Sequence, residues 1–425
     1  MVTVKPPEHI IQVLQCLAEN GYDAYLVGGC VRDSIMGRPV HDWDIASSAT
    51  PDEVEKVFEK TVQTGKKCGT VTVILPGITV EVTTFRTESG YNDGRRPDNV
   101  EFVKSLDEDL SRRDFTMNAI AVSDSGEMID PFGGVGDIKK RMIRCVGAPG
   151  ERFSEDALRM FRAFRFSAEL GFEIEAETLS SIKSNAKKAR AISAERVRIE
   201  LEKTLLSQKP EIAGEMIETG LLARNISSDG KCPDGLNNIA ALPSEAVLRW
   251  CLFCAMLLDY DLIKTASDFL RAMRLDSNTI KTCDTALSAA MFSGGSEADD
   301  RVGVKKLLSK HGIAATRCAA AVHDTMHGKP HGTLPDTKND PLHNAAHNSL
   351  HGKMMLQCVT EVLQSGECFS LETLAISGSD LVELGYEPGP ELGGMLSVLL
   401  DYVVERPEAN TREVLIGIIE EMTDR

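Results

Sequence analysis

Residues 26–46 read LVGGCVRDSIMGRPVHDWDIA, and the two ends of this stretch decide how the first third of the chain is read. At one end, Asp42 and Asp44 lie two apart beside WDIAS (43–47), a run with strand character. Side chains alternate faces along a strand, so this spacing predicts both carboxylates on one face. Paired hard oxygen donors suit Mg²⁺, which takes one or two carboxylates and completes its shell with substrate phosphates. Asp-x-Asp is also common in solvated turns, so the pair needs its context. At the other end the strand-like DAYLV runs into Gly28-Gly29-Cys30-Val31-Arg32-Asp33. Adjacent glycines let backbone approach a triphosphate closely. Their N–H groups and Arg32 then bind phosphate oxygens. Together the two ends predict nucleotidyl transfer.

Around this stretch the chain reads as an α/β unit. HIIQVLQCLAEN (9–20) has apolar residues at helical spacing and stops at Gly21. GTVTVILPGITVEVTTF (69–85) alternates as two strands about a Pro76-Gly77 turn, and NVEFV (99–103) follows. FTMNAIAVS and EMIDPF add two strand-like runs around Ser125-Gly126. From Glu151 onward the pattern is helical and strand signals nearly vanish. The expected class is α+β, an α/β head followed by helical domains, with breaks near 148, 210 and 335.

Composition narrows the function. The 425 residues are 42% apolar and 26% charged, ordinary globular values that exclude a disordered or fibrous chain. No stretch approaches the roughly 20 apolar residues of a membrane helix, so no membrane partner is expected. Eleven scattered cysteines fit reduced thiols in a cytoplasmic protein, and the CxxC of Cys251 and Cys254 lies in an apolar run, as buried helix cysteines do. The net charge of −17 argues against nucleic acid, but it is segregated. Residues 366–425 hold thirteen acids and three bases, whereas 183–203 hold seven bases and three acids. A polyanion can dock on the second region. Six of nine histidines fall in 323–353, a stretch rich in Pro, Gly, Asn and Asp that reads as a loop leading into a helix.

LVGGCVRD, DWDIA, RRDFTMNAIA, DPFGG and EDALRMFRAFRF, in this order, resemble the class II tRNA nucleotidyltransferase and poly(A) polymerase family. ISGSDLVELGYEPGPELGGML, from residue 376, looks like the tail of its bacterial CCA-adding branch. The resemblance implies a nucleotidyltransferase head (1–148), a neck that recognises the base (149–210), a helical body (211–335) and a helical tail that binds tRNA (336–425). It implies Asp42 and Asp44 as ligands of two Mg²⁺ ions, with Glu81 the candidate third carboxylate. It also implies nucleotide contacts from Gly29, Arg32 and Arg113, the last of which could instead be a surface ion pair with Asp114.

Residues 155–166 read as one helix, on which Asp156, Arg159, Arg162 and Arg165 follow at steps of three and wrap round one side. Spacing alone makes them a solvated face; the resemblance makes them the reader of the incoming base. Cytosine and adenine present an amine beside an unprotonated ring nitrogen, which a carboxylate and a guanidinium match, and uracil and guanine present the reverse. Arg162 and Arg165 would support the phosphates or the pocket, and Glu155 would orient Arg159. The polar stretch 86–100 reads as a loop that the family's CCA-adding members carry. The expected function is addition of C, C and A to tRNA from CTP and ATP, without a template. Its alternatives are an A-adding enzyme or poly(A) polymerase of the same family, and an inactive RNA-binding scaffold.

Overall fold

A computed structural model describes residues 4–89, 99–227, 231–292, 301–327 and 356–423. Chain contacts divide it into two compact units, Met1–Cys232 and Pro233–Arg425.

The first unit is built on a mixed seven-stranded sheet. Helix α1 (Glu8–Glu19) buries Ile10, Val13, Leu14 and Leu17, the 3–4 spacing of one face, and Gly21 leaves it with φ 85°. Strand β1 (Ala24–Val27) then leads through Gly28 into the short helix α2 (Gly29–Ile35). Strand β2 (Asp44–Ser47), helix α3 (Pro51–Val57) and strand β3 (Thr61–Gly65) follow. β4 (Thr70–Leu75) and β5 (Ile78–Thr84) form the hairpin read from the sequence, closed at Leu75 and Ile78 with Gly77 at φ 82°. β6 (Arg86–Ser89) and β7 (Asn99–Phe102) make a separate ribbon; residues 90–98 of the expected 86–100 loop lie outside the described residues. Helix α4 (Leu106–Ser111), β8 (Ala121–Val122) and β9 (Met128–Ile129) complete the sheet, in the order β3-β4-β5-β2-β1-β8-β9. Only β2 and β5 pair parallel in it.

Helix α5 (Gly134–Lys140) and strand β10 (Met142–Ile143) precede α6 (Pro149–Glu155) and α7 (Leu158–Leu170). The single helix expected over 155–166 is two. Asp156 has extended backbone (φ −139°, ψ 104°), and its Oδ1 accepts the Leu158 N–H at 3.0 Å. An aspartate that satisfies a backbone donor at the start of a helix favours a new start over continuation. β11 (Glu173–Ile174) pairs parallel with β10, a two-residue ladder too short for periodicity to reveal. Helices α8 (Ala176–Asn185), α9 (Ala194–Leu206) and α10 (Ile212–Glu218) close the unit.

The described residues of the second unit contain no strand. Helix α11 (Ala246–Asp259) buries ten consecutive residues from Leu248 to Leu257, Cys251 and Cys254 among them, as expected of core thiols. It packs with α12 (Ala266–Ala272), α13 (Ser277–Phe292) and α14 (Arg301–His327), the last broken at Gly312. His343, His347 and His351 lie outside the described residues. Residues 356–365 (α15), α16 (Gly378–Glu383), α17 (Pro390–Glu405) and α18 (Arg412–Thr423) complete the unit, with Leu381, Leu399, Val403 and Leu415 in one core. Among the described residues no helix is long and apolar enough to cross a membrane.

Candidate active site

Strand register fixes the floor of a cleft of about 600 Å³ in the first unit. On β5, Val80 and Val82 are buried and Glu81 between them is exposed; on β2, Ile45 is buried beside exposed Asp44. β2 and β5 run parallel with Asp44 opposite Glu81, so the two carboxylates leave the sheet side by side. Asp42 departs from the expectation. It stands two residues before β2, exposed and outside the cleft lining. Residues 41–43 make no strand pairing, so β2 begins at Asp44. The Asp42 charge nevertheless reaches Asp44. The Asp44 carboxyl is raised above its ordinary value, first by its recess in the cleft and next by Glu81, with Arg113 opposing and Asp42 adding.

This donor set fits a divalent cation. The carboxylates are hard oxygen donors whose mutual repulsion a cation relieves. Among the described residues no three His, Cys, Asp or Glu side chains form a metal cage. A divalent cation that completes its shell with substrate phosphates needs no such cage.

Beside the carboxylates the chain turns through Gly28 at φ 79°, a conformation that favours glycine. A Cβ there would lie 3.2 Å from Arg113 Nη1 and 3.9 Å from Asp44 Oδ2, so the turn runs close against both side chains. Gly29 and Arg32 line the cleft with it. Arg32 is buried and held on three sides. It donates to Asp33 at 3.0 and 2.9 Å and to Asn118 Oδ1 at 2.8 Å, and its guanidinium lies 5.1 Å from the Phe166 ring centre. Arg113 also faces the cleft. It pairs with Asp109 at 3.1 Å, not with its neighbour Asp114.

Residues at the α6–α7 break, on α7 and on α9 also line the cleft. Asp156 receives both terminal nitrogens of Arg196, at 3.3 and 2.7 Å. Arg159 is buried; it donates to Glu155 at 2.5 Å, as the four-residue spacing predicts, and to the Arg112 carbonyl at 2.8 Å. Arg162 clamps Asp114 Oδ2 at 2.8 and 2.7 Å. Burial pushes the Asp114 carboxyl up, but Arg162, Asn118 and Arg159 outweigh it and hold it well below the usual carboxylate range. Arg165 does not line the cleft. It is tied to Glu200 at 2.5 Å and Glu169 at 2.7 Å, and lies 4.0 Å from the centre of the Phe166 ring. The four residues expected on one helical face thus divide: Asp156, Arg159 and Arg162 reach the cleft and Arg165 braces it from behind.

Several lining residues escaped the sequence reading: Arg196, Arg112, Asn118, Phe166 and Arg86. Arg196 was legible only as part of the basic run 183–203, because its partner Asp156 is 40 residues away and the contact needs α9 folded against α7. That run is no single face. Lys183, Lys187, Lys188 and Arg190 are exposed, whereas Arg196 turns into the cleft.

Known proteins resemble this chain in sequence and in fold. The family described as "Poly A polymerase head domain" matches residues 24–144, and that described as "Probable RNA and SrmB- binding site of polymerase A" matches 171–225. A CCA-adding enzyme of Limosilactobacillus fermentum is 39% identical over 421 residues, 95% of this chain and 94% of its own. One from Limosilactobacillus reuteri is 52% identical over 243 residues, 56% of this chain and 58% of its own. The crystal structure of Bacillus stearothermophilus CCA-adding enzyme in complex with CTP superposes with a TM-score of 0.77 at 34% identity, covering 99% of both chains. Matched almost end to end in sequence and in fold, with the head profile falling on the strands that carry Asp44 and Glu81, the chain belongs to the family of the CCA-adding enzymes.

Proposed function

We propose that the chain adds C, C and A to the 3′ end of tRNA from CTP and ATP, without a nucleic-acid template, releasing pyrophosphate. The observation that carries this reading is one cleft with the Asp44–Glu81 pair and Gly28-Gly29 on one side and the Asp156–Arg159 pair on the other. Asp44 and Glu81, with Asp42 close by, would hold Mg²⁺ together with the substrate phosphates. When bound, Mg²⁺ in such sites lowers the pKa of the attacking 3′-hydroxyl and stabilises the pyrophosphate that leaves.

The chain's own groups bind and orient. Gly29 backbone, Arg32 and Arg113 take the triphosphate, with Arg32 already aligned by Asp33, Asn118 and Phe166. Asp156 accepts from the base amine, and Arg159 donates to the ring nitrogen. Both are pre-ordered, by Arg196 and by Glu155 and the Arg112 carbonyl, so little side-chain freedom is lost on binding. Arg162 and Arg165 shape the pocket, Arg165 through Phe166. The exposed lysines at 183, 187 and 188 dock the tRNA backbone, in keeping with the RNA-binding family matched over 171–225. The division at 148, 210 and 335 and a cytoplasmic location belong to the same proposal. Pyrophosphate release tests it. With tRNA lacking CCA, CTP should release pyrophosphate and ATP should release more only after CTP has reacted. No release with either nucleotide, on tRNA ending in CC as well, would favour the inactive scaffold, and release with ATP alone on tRNA lacking CCA a poly(A) polymerase.

A further inference from the structure

Asp109 lies outside the cleft lining and is 1% exposed, yet both of its oxygens are committed to cleft residues. Oδ1 accepts from Arg112 Nε at 3.1 Å and Nη2 at 2.6 Å, and from the Arg86 backbone N–H at 3.4 Å. Oδ2 accepts from Arg113 Nη2 at 3.1 Å. Arg86, Arg112 and Arg113 all line the cleft. Two further contacts extend the network. Arg113 Nη1 lies 3.2 Å from the position of a Gly28 Cβ, and the Arg112 carbonyl accepts from Arg159 Nη2 at 2.8 Å. A buried carboxylate is costly unless its oxygens are satisfied, and here the satisfying groups are the ones that reach the two walls.

We propose that Asp109 is a positioning residue for the nucleotide: one carboxylate that aims Arg113 at the phosphate side and anchors Arg112, whose carbonyl holds Arg159 at the base side. The inference rests on the proposed function, because it takes those walls as the nucleotide site. Helix α4 supports the role. Ser105 Oγ caps its start by accepting the Glu108 N–H at 3.4 Å, and Leu110 next to Asp109 is fully buried, so the carboxylate has a fixed base. The spacing is functional too. Arg112 and Arg113 sit three and four residues after Asp109, both within reach of one carboxylate from the same turn.

The test is the dissociation constant of CTP and of ATP, with Mg²⁺, by titration calorimetry on the full chain, with addition to tRNA measured in parallel. Asp109→Asn should weaken both nucleotides about tenfold or more, the effect of losing charge-assisted hydrogen bonds. Its effect should be less than multiplicative with that of Arg113→Ala, because the first acts partly through the second. A merely structural role would lower the binding-competent fraction and the melting temperature and leave the dissociation constants alone. Unchanged constants, or fully multiplicative effects, overturn the proposal. If the Asn variant melts far below the parent, Asp109→Glu decides on the same criterion, since it keeps the charge and displaces it by one methylene. A parent that binds CTP but does not extend tRNA would refute the proposed function and leave the Asp109 result readable. A parent that binds neither nucleotide would refute both.

Discussion

The side-by-side placement of Asp44 and Glu81 follows from a parallel register that any one-residue slip would destroy, because a slip moves a strand's side chains to the other face. Removing either charge from the Asp42/Asp44 pair attacks the reaction and not the RNA contacts. Asp42→Asn and Asp44→Asn should each abolish addition of C and of A while tRNA affinity stays near that of the parent; more than a few per cent of activity in both would exclude them as ligands. The opposite wall gives a different signature. Asp156→Ala and Arg159→Ile should each erode discrimination against UTP and GTP by roughly 5- to 150-fold, the equivalent of about 1–3 kcal/mol for a mismatched buried polar contact. Wild-type kcat/KM ratios among the four nucleotides would place base reading elsewhere. The identities of these residues were legible in the sequence, but their roles were not separable there. Asp42 and Asp44 looked equivalent until strand pairing put one inside β2 and one before it. Arg165 looked like Arg162 until α9 brought Glu200 against it.

Elements whose buried face repeats are legible in the sequence; those set by a distant partner or by one hydrogen bond are not. The 3–4 spacing of α1 and the alternation of β4 and β5 each express one buried face, which a single sequence records. The β10–β11 ladder and the break at Asp156 depend on partners brought from elsewhere or on one capping hydrogen bond. In the second unit a comparable local device joins α14 to residue 367. Glu367 receives Arg301 at 2.8 and 2.5 Å and Lys305 at 3.1 Å, although Lys305 is 1% exposed. The hydrogen bond from Arg301, followed by those from Lys305 and Ser365, outweighs desolvation and lowers the Glu367 carboxyl to about 2 from an ordinary 4.5. A folded-state value below the unfolded one stabilises above the unfolded value and is lost as pH falls. The melting temperature of the parent should therefore exceed that of Glu367→Gln at pH 7, with the gap closing between pH 4.5 and about 2. A gap independent of pH would assign the effect to packing.

At the scale of the whole molecule, charge is arranged against its own average. The chain carries −17, and the acids concentrate in 366–425, while exposed Lys183, Lys187, Lys188 and Arg190 cluster in the first unit. Neutralising Lys187 and Lys188 should weaken tRNA binding and reduce the slope of log affinity against log salt by roughly one unit per lost phosphate contact. An unchanged slope would make them solvated lysines. These lysines and the residues that line the cleft all belong to the first unit.

On the proposed function, this one cleft performs all three additions and selects each base. Extension of tRNA lacking CCA, with each nucleotide supplied singly and then in sequence, tests it most directly. CTP alone should add two residues and stop, ATP should then add one and stop, and UTP and GTP should add nothing. Runs of A on tRNA lacking CCA, or addition of A only to tRNA already ending in CC, would contradict it.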